Sequence, residues 1–211
     1  MVYLTYAYKP EITAARERAN RCGWGPEKLR WIRAAGDRAG AELARSLERN
    51  ATETTGTAAA TVVNAGFAGA LDKSLGTGQV VIVEHFLTDS RLPEQPEAEA
   101  LSRVAKVLAA ACAWPSVGGI TVAEPVLDAS RRAQLHRQTG AAIVDMEGFH
   151  LARTAHAFGL DFVCLKVVSD RADEAAWNST VEEASRWSRI LGEAIERLLE
   201  QLYDRTDSAR D

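Results

Sequence analysis

Ala141–Asp173 reads AAIVDMEGFHLARTAHAFGLDFVCLKVVSDRAD. Two short apolar runs, Ala141–Val144 and Phe162–Val168, each end on acidic residues. The first runs into Asp145-Met146-Glu147-Gly148 and the second into Ser169-Asp170. The segment between them, Phe149–Phe158, has helical character. The pattern predicts a strand–helix–strand unit whose two strands run the same way. Carboxylates at equivalent ends of parallel strands share the rim where open α/β sheets bind ligands. Two acids converging there can hold a substrate and pass it a proton.

Outward from this stretch, apolar runs alternate with helical periodicity along the chain. Strands are predicted at Val2–Ala7, Ala58–Asn64, Gln79–Glu84 and Gly118–Val122. Helices are predicted from Pro10 to Arg21, Asp37–Arg49, Glu97–Ala113, from an N-cap at Asp128 to Thr139, and Thr180–Tyr203. Cys22-Gly-Trp-Gly-Pro26 is a breaker, Asn50–Gly56 a polar turn, and residues 85–96, with Pro93 and Pro96, a loop. The count is about six strands interleaved with five or six helices. It predicts an α/β fold, a three-layer αβα sandwich around a mixed, largely parallel twisted sheet. With no repeat, low-complexity segment or linker in the 211 residues, one domain spanning 1–211 is the expectation.

Composition narrows the function classes. Hydrophobic residues are 46% and charged residues 26%, as in ordinary globular proteins. The net charge of −4, without a basic block, argues against nucleic acid or an anionic membrane surface as partner. No apolar run approaches the about 20 residues that span a bilayer, and the N-terminal residues do not read as a secretory leader. Three widely spaced cysteines form no zinc or CxxC pattern, and the four histidines match no metal spacing. A reducing, cytoplasmic setting, no metal and no cofactor are the expectations.

Several residues carry candidate chemistry. Asn64-Ala-Gly-Phe-Ala-Gly69 follows a buried strand, and its glycines suit either a plain turn or close backbone approach to a ligand. Glu147 stands near a helix start, as a capping acid or as an acceptor for the two hydroxyls of a ribose. Met146 suits the core or the side of a sugar. Lys166 interrupts a buried strand and needs a partner. Asp170 lies four residues on, which puts both side chains on one face and predicts a salt bridge. That pair is either structural or a device that orients an acid. Glu11, by itself, reads as a solvated first-turn glutamate.

Together the pieces resemble the nucleoside phosphorylase/nucleosidase superfamily. Asn64–Glu84, NAGFAGALDKSLGTGQVVIVE, resembles its glycine stretch followed by spaced leucines, glycine and a Val-Val strand. Val144–Asp173 resembles its Met-Glu and Ser-Asp-x-Ala-Asp signature. The closest groups are the methylthioadenosine/S-adenosylhomocysteine nucleosidases and the hopanoid-associated phosphorylase-like proteins. The resemblance implies hydrolysis of the N-ribosidic bond of a 5′-modified, adenosine-like purine nucleoside. Alternatives are a phosphorylase with phosphate as co-substrate, or a catalytically impaired nucleoside-binding or scaffold protein. It further implies that Asp170 protonates purine N7, Glu147 binds the ribose diol and Met146 packs beside the sugar. Phe67, Ala68 and Gly69 flank ribose and base, and Ser169 and Lys166 complete the substrate site. Glu11 resembles the water-activating glutamate after the first strand. A homo-oligomer, first of all a dimer, is implied as well. The sequence departs from the family with Lys166 where an Arg is usual, Phe67 where a small residue is common, and a short Arg-rich stretch between Glu11 and Gly36 that contains Arg16 and Arg33, with Arg38 just beyond.

Overall fold

Two long strands, β3 (Thr61–Ala70) and β8 (Asp161–Asp170), pair in parallel along nearly their whole length and form the spine of the molecule. Both are buried almost throughout, as parallel strands covered on two faces must be. The computed structural model describes residues 1–51, 60–89, 98–100, 103–170 and 176–208. The expected turn beyond Ala51, the loop prolines Pro93 and Pro96, and Arg171–Asp173 of the signature lie outside the described residues.

Before the spine come β1 (Val2–Tyr6), α1 (Lys9–Arg21), β2 (Leu29–Arg33), a 3₁₀ turn at Gly36–Arg38 and α2 (Ala39–Ala51). Between its strands run β4 (Val80–Thr88), β5 (Ala98–Ala100), α3 (Arg103–Cys112), β6 (Ser116–Thr121), α4 (Ala129–Thr139), β7 (Ile143–Asp145) and α5 (Gly148–Ala157). α6 (Ala176–Ser208) follows β8. The strand order is β2-β1-β3-β7-β6-β4-β5, and β8 pairs with both β3 and β4. The path β3-β7-β6-β4-β8 therefore closes into a ring. β2, β1, β3 and β8 run one way, and β4, β6 and β7 the other; the two groups meet at the antiparallel β3/β7 and β4/β8 junctions. Helices cover both sides of this mixed, mainly parallel sheet: α1 and α3 pack with α6, and α2 packs with α5.

Three sequence expectations change. The two strands of the 141–173 unit are not parallel: β8 runs with β3, whereas β7 runs against it. β7 is only three residues long and pairs with β3 and β6 rather than β8, so the handedness rule for neighbouring parallel strands does not govern it. The glycine stretch 65–70 is not a loop but the second half of β3. Residues Ala65–Ala68 pair in register with Leu165–Val168, and Gly69 pairs with Asp170 after a one-residue shift. Leu29–Arg33 is a strand that its arginines concealed; at the sheet edge only Leu29 and Ile32 need burial. Smaller shifts are the extension of β4 through His85–Thr88, against β5 and β6, and the later start of α3. The Asp128 cap is as expected: its carboxylate accepts the Arg131 N–H at 2.7 Å, and Gly140 closes α4 at φ 70°.

The packing of α5 against the ring depends on an absent methyl. A Cβ on Gly148 would collide with the ring of Phe86, which is fully buried. Gly148→Ala is predicted to destabilise the fold by about 1–3 kcal/mol in urea unfolding, with the slope unchanged. A second change, Phe86→Leu, should return part of that loss.

Candidate active site

Phe67–Gly69, near the end of β3, is the floor on which the site is assembled. Gly69 pairs with Val144 of β7 on one side and with Asp170 of β8 on the other. The two acidic motifs are thus brought to opposite edges of one backbone segment, although their strands are not parallel. Above this floor lies a cavity of about 360 Å³. Glu11, Phe67, Ala68, Gly69, Met146, Glu147, Ser169 and Asp170 line it, as do Tyr8, Arg132 and Asp145. The opposite wall is apolar, formed by Val122, Pro125, Val126 and Leu127.

Glu11 is buried rather than solvated. One carboxylate oxygen, Oε2, accepts the N–H groups of Ala7 and Tyr8 at 3.0 and 2.9 Å, closing the start of its own helix. The other, Oε1, accepts the Phe67 N–H at 3.2 Å. A Cβ at Gly66 would stand 2.9 Å from Oε1, so this glycine leaves room for the glutamate. Burial pushes the Glu11 carboxyl above its ordinary range, against its backbone hydrogen bonds and the Lys166 ammonium.

The Asp145-Met146-Glu147 motif divides its labour. Asp145, not Glu147, caps α5: its Oδ1 and Oδ2 accept the Gly148 N–H at 3.2 and 3.0 Å. Asp145 Oδ1 also accepts from the Thr121 hydroxyl at 2.7 Å, and that hydroxyl accepts the Phe149 N–H. Glu147 occupies the N-cap position but makes no side-chain cap bond. It reaches instead across to the 3₁₀ turn, where Oε1 accepts the Gly36 N–H at 2.9 Å. Gly36 sits at φ 58°, a backbone conformation that favours glycine. Burial raises the Glu147 carboxyl to about 7, with Lys166 opposing the rise and Asp145 adding to it.

The expected Lys166–Asp170 salt bridge does not form. Lys166 Nζ lies 3.0 Å from Asp145 Oδ2, with both side chains buried. The reason is a bulge. β3 and β8 stay in register to Ala68–Val168, but Gly69 then faces Asp170, and Ser169 is the extra residue. One inserted residue reverses the alternation, so counting by twos from Lys166 assigns Asp170 to the wrong face. Burial alone would lower the Lys166 ammonium. Asp145, Cys164, Glu147 and Glu11 outweigh it and hold the group above its usual range.

Asp170 pairs instead with Arg132 of α4, whose Nη2 meets its Oδ1. The Ser169 hydroxyl stands 3.0 Å from Asp170 Oδ2 and 3.3 Å from the Ala68 carbonyl, and gives its one proton to one of them. Sequence reasoning missed Arg132 because Arg131 and Arg132 look alike in the chain. The available signal was helical phase: Arg132 precedes the buried Leu135 by three residues and shares its inward face. The role of Asp145 was hidden inside a motif whose glutamate drew the attention.

The raised Glu147 gives a stability prediction. An unfolded glutamate titrates near about 4.3. Between that value and about 7 the folded protein holds more protons at Glu147 than the unfolded chain does, so this residue lowers stability as pH rises through the window. Glu147→Gln removes the effect. Its melting temperature should exceed that of the wild type above about pH 7 and converge with it near about pH 4; a constant difference across that range would contradict the assignment.

Comparison with known proteins identifies the family and the fold. A family model described as the phosphorylase superfamily matches residues 39–203. A 5′-methylthioadenosine/S-adenosylhomocysteine nucleosidase of an Exiguobacterium species is 31% identical over 162 residues, 66% of this chain and 70% of that one. A Staphylococcus aureus protein of the same name is 27% identical over 67% of this chain and 70% of its own. Among solved structures, the Helicobacter pylori 5′-methylthioadenosine/S-adenosylhomocysteine nucleosidase with butyl-thio-DADMe-Immucillin-A superposes with a TM-score of 0.76 at 20% identity, covering 95% of this chain and 97% of that one. The futalosine hydrolase of the same species gives 0.76 at 18% identity, with the same coverage. These structures share the fold, and Glu11, which precedes the matched family region, is joined to it here by its bond to Phe67. With the family match spanning most of the sequence, from α2 to the last helix, the chain belongs to the phosphorylase superfamily.

Proposed function

We propose that the protein hydrolyses the N-ribosidic bond of a purine nucleoside, adenosine-like and modified at its 5′ position. The observation that carries this reading is the separation of carboxyl groups around one cavity. Glu11 and Glu147 belong to the side formed by α1 and β7, and Asp170 belongs to the opposite edge of β3. An N-glycoside needs this division, because its sugar becomes cationic while its base becomes anionic.

In the proposed reaction the Glu147 carboxylate accepts from the ribose diol and faces the positive charge that develops on the sugar. Asp170, carrying a proton taken from solvent, gives it to N7 as the C1′–N9 bond breaks and the electron pair passes to the base. Water attacks C1′ and yields its proton to Glu11, and both acids then return to their starting states by exchange with solvent. The burial that raises the Glu11 carboxyl also makes it a better base toward neutral pH. The apolar wall Val122–Leu127 suits a base face or an uncharged 5′ group.

Water as the attacking group is supported by how nearby cations are engaged. Arg16 stands over the rings of Tyr6 and Trp31 at 5.5 and 5.3 Å, and Arg33 Nε donates to the Ala7 carbonyl at 3.4 Å. Neither of these belongs to the described cavity lining, and nor does the exposed Arg38, the third candidate for a phosphate site. The reading extends to a homo-oligomer, dimeric by resemblance, working in the cytoplasm, which the three free cysteines suit. One observation favours the nucleoside-binding alternative: the Asp170 carboxylate already meets a guanidinium. Assay of released base over a nucleoside panel decides between them. Asp170→Asn and Glu11→Gln are each predicted to lower base release by ~10²–10⁴-fold while the protein stays folded. Wild-type binding without release, or full activity in Asp170→Asn, would overturn the proposal.

A further inference from the structure

Arg132 is the one cationic side chain among the described residues lining the cavity, and its side chain is 7% exposed. Its guanidinium joins three separate pieces of chain. Nε donates to the Val126 carbonyl at 2.7 Å, in the apolar wall. Nη1 donates to the Ala70 carbonyl at 3.3 Å, at the end of β3, and to the Asp170 carbonyl at 3.5 Å. Nη2 meets Asp170 Oδ1. A planar fork with donors on three nitrogens can satisfy such a set, whereas a lysine ammonium cannot span it.

The room for this fork comes from Gly69. A Cβ built there would stand 2.7 Å from Nη1, 2.9 Å from Cζ and 3.0 Å from Nη2. Gly69 pairs within β3 and β8, and it is absent from the residues at positive φ. Backbone conformation therefore does not demand glycine at this position; what a side chain here would meet is the hydrogen-bonded guanidinium.

We propose that Arg132 is the positioning residue for Asp170, and that Gly69 lacks a side chain in order to seat its guanidinium. The inference rests on the hydrolase reading given above. Arg132 fixes the direction of the Asp170 carboxylate at the bulged end of β8. It also holds the carboxylate that remains once the proton has passed to N7, so the charge left behind meets a fixed cation. By anchoring Val126, the same side chain sets the distance from this acid to the apolar wall.

The test combines Arg132→Ala, Arg132→Lys, Gly69→Ala and the Gly69→Ala/Arg132→Ala double variant, using a nucleoside that the wild type cleaves. Arg132→Ala should lose ~10²-fold or more in kcat, as expected for a misplaced catalytic group, with little change in KM. Guanidinium ion added to the buffer should restore part of that kcat, and should restore nothing in Asp170→Asn. Arg132→Lys should stay impaired despite its charge. Gly69→Ala should lose kcat in the wild-type background and have no further effect once Arg132 is gone. If Arg132→Ala does not fold, Gly69→Ala alone displaces the guanidinium and reads the same effect. Wild-type kcat in Arg132→Ala or Gly69→Ala, additive losses in the double variant, or a raised KM without guanidinium rescue would each overturn the proposal. A wild type that releases no base from any nucleoside overturns the hydrolase reading instead. The Gly69–Arg132 contact is then still read in melting temperature: Gly69→Ala lowers it with Arg132 present and leaves it unchanged without.

Discussion

A lysine buried in a ring of strands needs a counter-charge, and Asp145 supplies it 3.0 Å from the Lys166 ammonium. The pair joins β8 to β7, two strands that share no backbone hydrogen bonds. Breaking such a pair leaves a charge stranded in a low-dielectric interior, at a cost of ~3–5 kcal/mol, so both residues hold each other in place. Asp145, held there, caps α5 and orders Thr121. Glu147 is thereby released from capping its own helix and reaches into the cavity. The same ammonium opposes the desolvation of Glu147 and Glu11. One cation thus underlies the arrangement of the sugar-side acids.

The base side is built from different materials. Ser169 is an extra residue in β8, and the bulge it makes rotates Asp170 away from Lys166 and toward Arg132. Two cations consequently serve two sets of acids without sharing them. The acid proposed to deliver the proton meets a guanidinium from α4 instead of the Lys166 ammonium. Lys166 is therefore a partner of Asp145 first.

Much of this was readable in the sequence because burial and helical phase are written into residue order. The long apolar strands, the Asp128 cap, the amphipathic last helix and the acidic motifs all follow from periodicity. What escaped depended on single-residue events. A one-residue bulge inverts the facing of every later side chain, and nothing in Val168-Ser169-Asp170 marks it. β7 is three residues long, too short for its direction to be read from its neighbours. The edge strand β2 hides behind Arg30 and Arg33 because only one side of it is covered. The glycines of 64–69 read equally as a plain turn or as room for a ligand; Gly66 and Gly69 instead face the side chains of Glu11 and Arg132.

In the proposed hydrolysis, sugar-side and base-side acids divide the cleavage of an N-ribosidic bond, with water as the attacking group. The most direct measurement is product analysis after turnover in water labelled with heavy oxygen, with inorganic phosphate present. Hydrolysis gives a free ribose-type sugar carrying the label at C1 together with released base. Formation of a sugar 1-phosphate, with no label at C1, would contradict it.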